Sequence, residues 1–128
     1  MSSAESEILA KEIFNVDPQI THLGLIDLEG NVLLDQSSAA NAPMEPNADR
    51  IRFYHQLDER RNSREYFDEP YGKTNYIHVI REKMQQVVLY LPKLTVYLTL
   101  EKSITPDEIK ITSQKIKLID SDIMKSGI

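Results

Sequence analysis

Between residues 76 and 100 the chain alternates apolar and polar positions almost without a break. Over 76–83, Ile77 and Val79 fall on one side and Tyr76, His78 and Ile80 on the other. Over 86–91, Val87, Leu89 and Leu91 interleave with Val88 and Tyr90, and over 94–100 Leu94, Val96, Leu98 and Leu100 alternate with Thr95, Tyr97 and Thr99. Period-two spacing, β-branched and aromatic residues, and turns at Met84-Gln85 and Pro92-Lys93 predict a meander of three antiparallel strands. The remaining segments are expected to cover it.

Upstream, Ile8, Leu9, Ile13 and Val16 form an apolar stripe that predicts a helix over 3–15. Ser2 and Glu5 have capping-box spacing, and Asp17-Pro18 stops the helix. A strand over 20–28 sets Leu23 and Leu25 on one face and Ile26 and Leu28 on the other. Gly24 in its middle implies that something, such as a helix, packs closely over it. Glu29-Gly30-Asn31 is a tight hairpin turn into a short return strand over 31–35. Residues 36–46, rich in small residues with two prolines, are a loop. Asn47 or Asp49 is placed to cap a second helix that runs to about 67, with Ile51, Phe53, Tyr54 and Leu57 as its apolar positions. Its second half, 58–65, is nearly all charged, so only the first turns are expected to lie on a sheet. Pro70-Tyr71-Gly72 ends that segment. The strongest start signal comes last: Thr105 as N-cap, Pro106 at the first helical position, Glu108 at the third, and Ile104 and Ile109 as a hydrophobic staple. Ile109, Thr112, Ile116, Ile119 and Ile123 continue the stripe, and 121–128 are expected to fray. The order helix, two strands, helix, three strands, helix predicts an α+β fold, one domain over 1–128. A five-stranded antiparallel sheet would carry helices in two layers, or in three if helices take both faces.

Composition narrows the function. A chain of 128 residues with a formal charge of −5 lacks the clustered basic face that nucleic acid or an anionic membrane requires. No cysteine means no disulfide, thiolate nucleophile or thiolate zinc site. The start MSSAESEILAKE carries acid where a secretory signal carries base, and no apolar run approaches the ~20 residues of a membrane span. A cytoplasmic protein is expected.

No motif announces chemistry. His22, His55 and His78 fall on different elements; His22 and His78 could approach within the sheet, but a pair is not a metal site. Asp27-Leu28-Glu29-Gly30-Asn31 lacks the ordered acids of a calcium loop, and the four glycines are too scattered to cradle phosphate. There is no G-x-S-x-G. No catalytic residue, cofactor or metal is expected, and the enzyme class is the weakest. Arg50, Arg52, Arg60, Arg61 and Arg64 interleave with Asp49, Asp58, Glu59 and Glu65. Mutual pairing on a solvated helix accounts for them, and the functional alternative is docking to a partner or to the helix's own twin. Tyr90 and Tyr97, on neighbouring strands, either pair on one face or lie beneath a packed helix.

The element order, with the hairpin segment HLGLIDLEGNVLL, resembles the Roadblock (dynein light chain) and profilin-like group of small domains. More narrowly, VDPQITHLGLIDLEGNVL, YFDEPYGKTNYIHVIREK and the VVLYLP and LTVYLTLE segments look like a family of small archaeal proteins of unknown function, known mainly from ammonia-oxidising archaea. The wider resemblance implies a homodimer whose second helices and third strands pair across a two-fold axis. It also implies a platform for small GTPases, motors or signalling proteins. Mapped onto this chain, the seam takes Arg50, Tyr54, Leu57 and Arg61 from the second helix and Ile77, Val79 and Arg81 from the third strand. A non-enzymatic homodimeric platform is the expectation. The alternative is a monomeric sensor of the PAS or profilin type, with a small ligand between sheet and helices and the 36–46 loop as a lid.

Overall fold

The computed structural model describes the backbone of residues 3–125 and the side chains of residues 3–120. In chain order the elements are α1 (Ser3–Val16), β1 (Ile20–Asp27), β2 (Val32–Ser37), α2 (Asn47–Glu65), α3 (Asp68–Tyr71), β3 (Tyr76–Ile80), β4 (Gln85–Tyr90), β5 (Leu94–Leu100) and α4 (Pro106–Lys125). The strands form one antiparallel sheet in the order β2-β1-β5-β4-β3. The hairpin β1–β2 and the meander β3–β4–β5 are thus joined through β1 and β5, the two strands richest in buried apolar side chains.

Alternation along the strands divides the apolar residues between two faces. On one face, Leu23, Leu25, Leu89, Val96 and Leu98 pack beneath Leu9 and Ile13 of α1 and Ile109 and Ile116 of α4. On the other, Ile26, Val88 and Tyr97 pack beneath Tyr54 and Leu57 of α2. The result is three layers, with two helices on one face and a single long helix on the other.

The helix starts show why the elements begin where they do. At α4 the capping box closes as read: the Thr105 amide donates to Glu108 Oε1 at 3.1 Å, and the Glu108 amide to Thr105 Oγ1 at 3.2 Å. Glu108 also accepts from Gln19 Nε2 at 2.7 Å, which ties the helix start to the α1–β1 connection. At α2 the reading needs correction. Pro46 occupies the N-cap position with no side-chain cap, and Asn47 Oδ1 instead accepts from Arg50 Nη2 at 2.9 Å. Strand β3 ends at Ile80, short of 83, because the Arg81 amide donates to the Met84 carbonyl at 3.0 Å and turns the chain. Strand β2 runs two residues further than expected, to Ser37. The cap at Ser2, the end at 126–128 and the side chain of Ile123 lie outside the described residues. Among the described residues no helix is long and apolar enough to cross a membrane.

Candidate interaction site

Helix α2 decides what the sheet's second face can offer, and it is held there by more than apolar contact. Gly24 of β1 leaves room for the Tyr54 ring: a Cβ on Gly24 would sit 2.7 Å from the ring edge and 2.8 Å from the hydroxyl oxygen. The expectation of a close-packed helix over Gly24 is met by this one side chain. Tyr97 completes the packing, with its ring centroid 5.8 Å from Tyr54 and 5.1 Å from Phe53, both edge-on.

The Tyr54 hydroxyl is directed into a polar cluster that the sequence did not reveal. It donates to Asp35 Oδ1 at 2.6 Å, and Asp35 also receives Arg50 through Nε at 2.8 Å and Nη2 at 2.7 Å, a two-pronged pair. His22 Nε2 lies 2.6 Å from the same carboxylate oxygen and 3.0 Å from the Tyr54 hydroxyl, while its Nδ1 meets Ser37 Oγ at 2.8 Å. A carboxylate only accepts, so Nε2 carries the hydrogen. Burial alone would raise the Asp35 pKa; the bonds from Arg50, Tyr54 and His22 outweigh it and hold the group at about 2. Burial, then the bond to Asp35, pushes the Tyr54 phenol well above its ordinary range.

The far end of α2 is fixed by Arg61. Its Nη1 donates to the Leu94 carbonyl at 2.7 Å and to Thr95 Oγ1 at 3.1 Å, and its Nη2 donates to the Leu91 carbonyl at 2.6 Å. The guanidinium therefore clamps the β4–β5 turn while lying 5.0 Å from the centre of the Tyr90 ring. Nε is 3.5 Å from Glu65, the one ion pair within the helix among the described residues. The charged half of α2 is thus not wholly solvated, and mutual pairing does not account for its arginines. Tyr90 and Tyr97 do not pair with each other: Arg61 and Arg64 take Tyr90, and Phe53 and Tyr54 take Tyr97.

The residues expected at a seam separate into two groups. Arg50, Tyr54, Leu57 and Arg61 are 7%, 0%, 5% and 5% exposed, turned inward onto the chain's own sheet. Ile77 and Val79 are half-buried on β3, on the same face of the sheet as α2, and Arg81 is exposed in the turn beyond. A shallow groove runs between α2 and β3, floored by Ile77, Val79 and Val88 and flanked by Phe53, Arg60 and Arg64. Leu57 and Arg81, both expected at the seam, line the same groove. Phe53, Arg60 and Arg64 were read as helix positions, the two arginines with docking as their functional alternative, and their spacing of seven and four marks one side of a helix. Strand β3 is also an edge strand, hydrogen-bonded only to β4. His22 and His78 do not meet. His22 faces α2, His78 pairs with Val87 on the opposite face, and β5 and β4 lie between their strands. Among the described residues no three His, Asp or Glu side chains gather as metal ligands.

This architecture is the Roadblock/LC7 fold, which profilins share in outline. MglB, the gliding protein of Thermus thermophilus, superimposes with a TM-score of 0.71 at 14% identity over 95% of both chains. An MglB structure with a tetrameric arrangement gives 0.70 at 14% identity, covering 96% of this chain and 95% of that one. A Roadblock/LC7 domain from Streptomyces avermitilis gives 0.67 at 7% identity, over 93% of this chain and 94% of the other. Acanthamoeba castellanii profilin II is more distant at 0.55 and 11%, over 94% and 96%. No protein-family model matches the sequence, and no curated protein matches it either.

Proposed function

We propose that the chain is a non-enzymatic homodimeric interaction platform, with its seam along α2 and β3. One observation carries this reading. The face under α2 has a single helix, so the strip over β3 keeps Ile77 and Val79 half-buried beside an unpaired strand edge. An apolar strip next to an open edge is what a second sheet edge and a second helix would cover.

Charge supports the same seam. A two-fold axis that joins β3 to its copy runs the strands antiparallel, and the α2 helices with them. The start of α2 carries Asp49 in its first turn and the end carries Arg64 in its last. Antiparallel pairing sets the acid of one helix near the arginines of the other, a complementarity that parallel pairing would turn into repulsion. The inward side chains of Arg50, Tyr54, Leu57 and Arg61 then position α2, while Phe53, Arg60 and Arg64 make the contact. Assembly also has a counterpart among its structural neighbours in the tetrameric MglB arrangement. A cytoplasmic setting, a place in the archaeal family whose motifs the sequence resembles, and a small GTPase or signalling protein as the platform's client belong to this proposal.

The test is molar mass by light scattering across a dilution series, for the natural chain and for Val79→Asp. A dimer that Val79→Asp reduces to a folded monomer is expected. A natural chain that stays at the 14.7 kDa of one copy contradicts the dimer, and an undisturbed Val79→Asp dimer contradicts this seam.

A further inference from the structure

A second concave site lies at the other end of the same sheet face. A cleft of about 240 Å³ opens where the 41–45 segment passes over the ends of β1 and β5 and faces the β3–β4 turn. Its walls are apolar on two sides, Pro43 and Met44 from the segment above and Met84 from the turn opposite. Its floor is polar: His22, and the hydroxyls of Thr21 and Thr99, which lie 2.7 Å apart. Lys83 and Lys102 stand at its rim, and neither has a carboxylate within ion-pair distance among the described residues.

Two carboxylates also border the cleft, and they are not equivalent. Glu45 lies 3.9 Å from Arg50, so its charge is partly matched by a guanidinium outside the cleft. Glu101 has no such cation among the described residues. Arg50 is already held by Asp35 and matches Glu45 only in part. The two ammonium groups, set against Glu101 and the remainder of Glu45, therefore leave a net charge between about 0 and +1, which admits a monoanion and disfavours a doubly charged phosphate. The volume is below that of drug-sized pockets and fits a molecule of metabolite size.

We propose that this cleft binds a small monocarboxylate with a short apolar body. The carboxylate lies between Lys83 and Lys102 and the apolar body lies between Met44 and Met84. His22 places the site in contact with the cluster that anchors α2, since the same ring bonds Asp35 and Tyr54. Occupancy would therefore be felt at the start of α2. The site does not depend on dimerisation, and it gives physical substance to the ligand-sensor alternative.

The experiment is an amide NMR titration of the intact chain with three probes: 3-methylbutanoate, the neutral 3-methylbutan-1-ol, and inorganic phosphate. Saturable shifts at Thr21, His22, Met84 and Thr99 with 3-methylbutanoate are expected, with weaker or no response to the alcohol and to phosphate. Replacing both exposed lysines, Lys83→Gln with Lys102→Gln, should weaken binding roughly fivefold or more, the loss of two exposed ion pairs. Met84→Glu should abolish it by replacing the apolar wall with a carboxylate that repels the ligand's own. Shifts spread over lysines elsewhere, equal response to phosphate, or affinity unchanged by the lysine replacements would overturn the proposal, as would no saturable shift with any probe.

Discussion

Gly24 and Tyr54 show how much of this face rests on single side chains. Tyr54 is fully buried and tied to Asp35, so it cannot yield to a methyl group that would arrive 2.7 Å away. Gly24→Ala is therefore expected to destabilise the chain by about 1–3 kcal/mol, as overpacking does, measured by denaturant unfolding. An unchanged midpoint would mean that Tyr54 is not held as described. Asp35 gives a pH-dependent counterpart. Its folded pKa is about 2 against an ordinary 3.8, so its ionised form favours folding. That contribution, ~2 kcal/mol, is complete above the ordinary value and fades as pH falls from about 4 toward about 2. Asp35→Asn should remove this acid limb and cost about 3 kcal/mol at neutral pH, because Arg50 is left buried without its anion. At the other end of the helix, Arg61→Met removes the Arg61 donor from the buried Leu91 carbonyl and leaves the Leu94 carbonyl with the Leu91 amide alone, and should cost about 2 kcal/mol. Arg61→Lys should recover only part of it, since a single ammonium does not reproduce the fork.

At the level of elements, what the sequence made legible followed alternation, and what it hid followed register. The two-face split of β5 and the Thr105 capping box needed only local pattern, and both are present. The Asp35 cluster was not readable because of an irregularity in the β1–β2 hairpin. Ile26 pairs with Val32, but the register shifts at Leu25/Ile26, so that Gly24 pairs with Asp35. Without that bulge Asp35 would lie opposite Leu23, on the face covered by α1 and α4; one residue of slip moves it beneath α2. Helix α2 is a second case. A run of charges reads as a solvated face, yet Arg50 and Arg61 lie eleven residues apart, three helical turns, on the same inward stripe as Tyr54 and Leu57. Each finds its acceptors far along the chain, in Asp35 and in the β4–β5 turn, and no local pattern contains those partners. Of the residues chosen for a seam, Leu57, Ile77, Val79 and Arg81 line the groove, while Arg50, Tyr54 and Arg61 turn inward. The sequence and its resemblance pointed to the second helix and third strand, while the surface of that helix belongs to Phe53, Arg60 and Arg64.

For the whole molecule, the uneven dressing of the sheet is the feature with most consequence. Two helices close one face, and the single helix on the other is clamped at both ends by buried arginines, so it is too well fixed to slide over β3. The sheet has two open edges, β2 and β3, of which only β3 borders the apolar groove. Amide hydrogen exchange across a dilution series separates these edges directly. The outward-facing amides of Tyr76–Ile80 are expected to be protected where the protein is dimeric and to exchange faster on dilution, while those of Val32–Ser37 stay unchanged. Exchange at β3 that is fast at every concentration, in a sample whose mass is that of a dimer, would contradict a seam along β3.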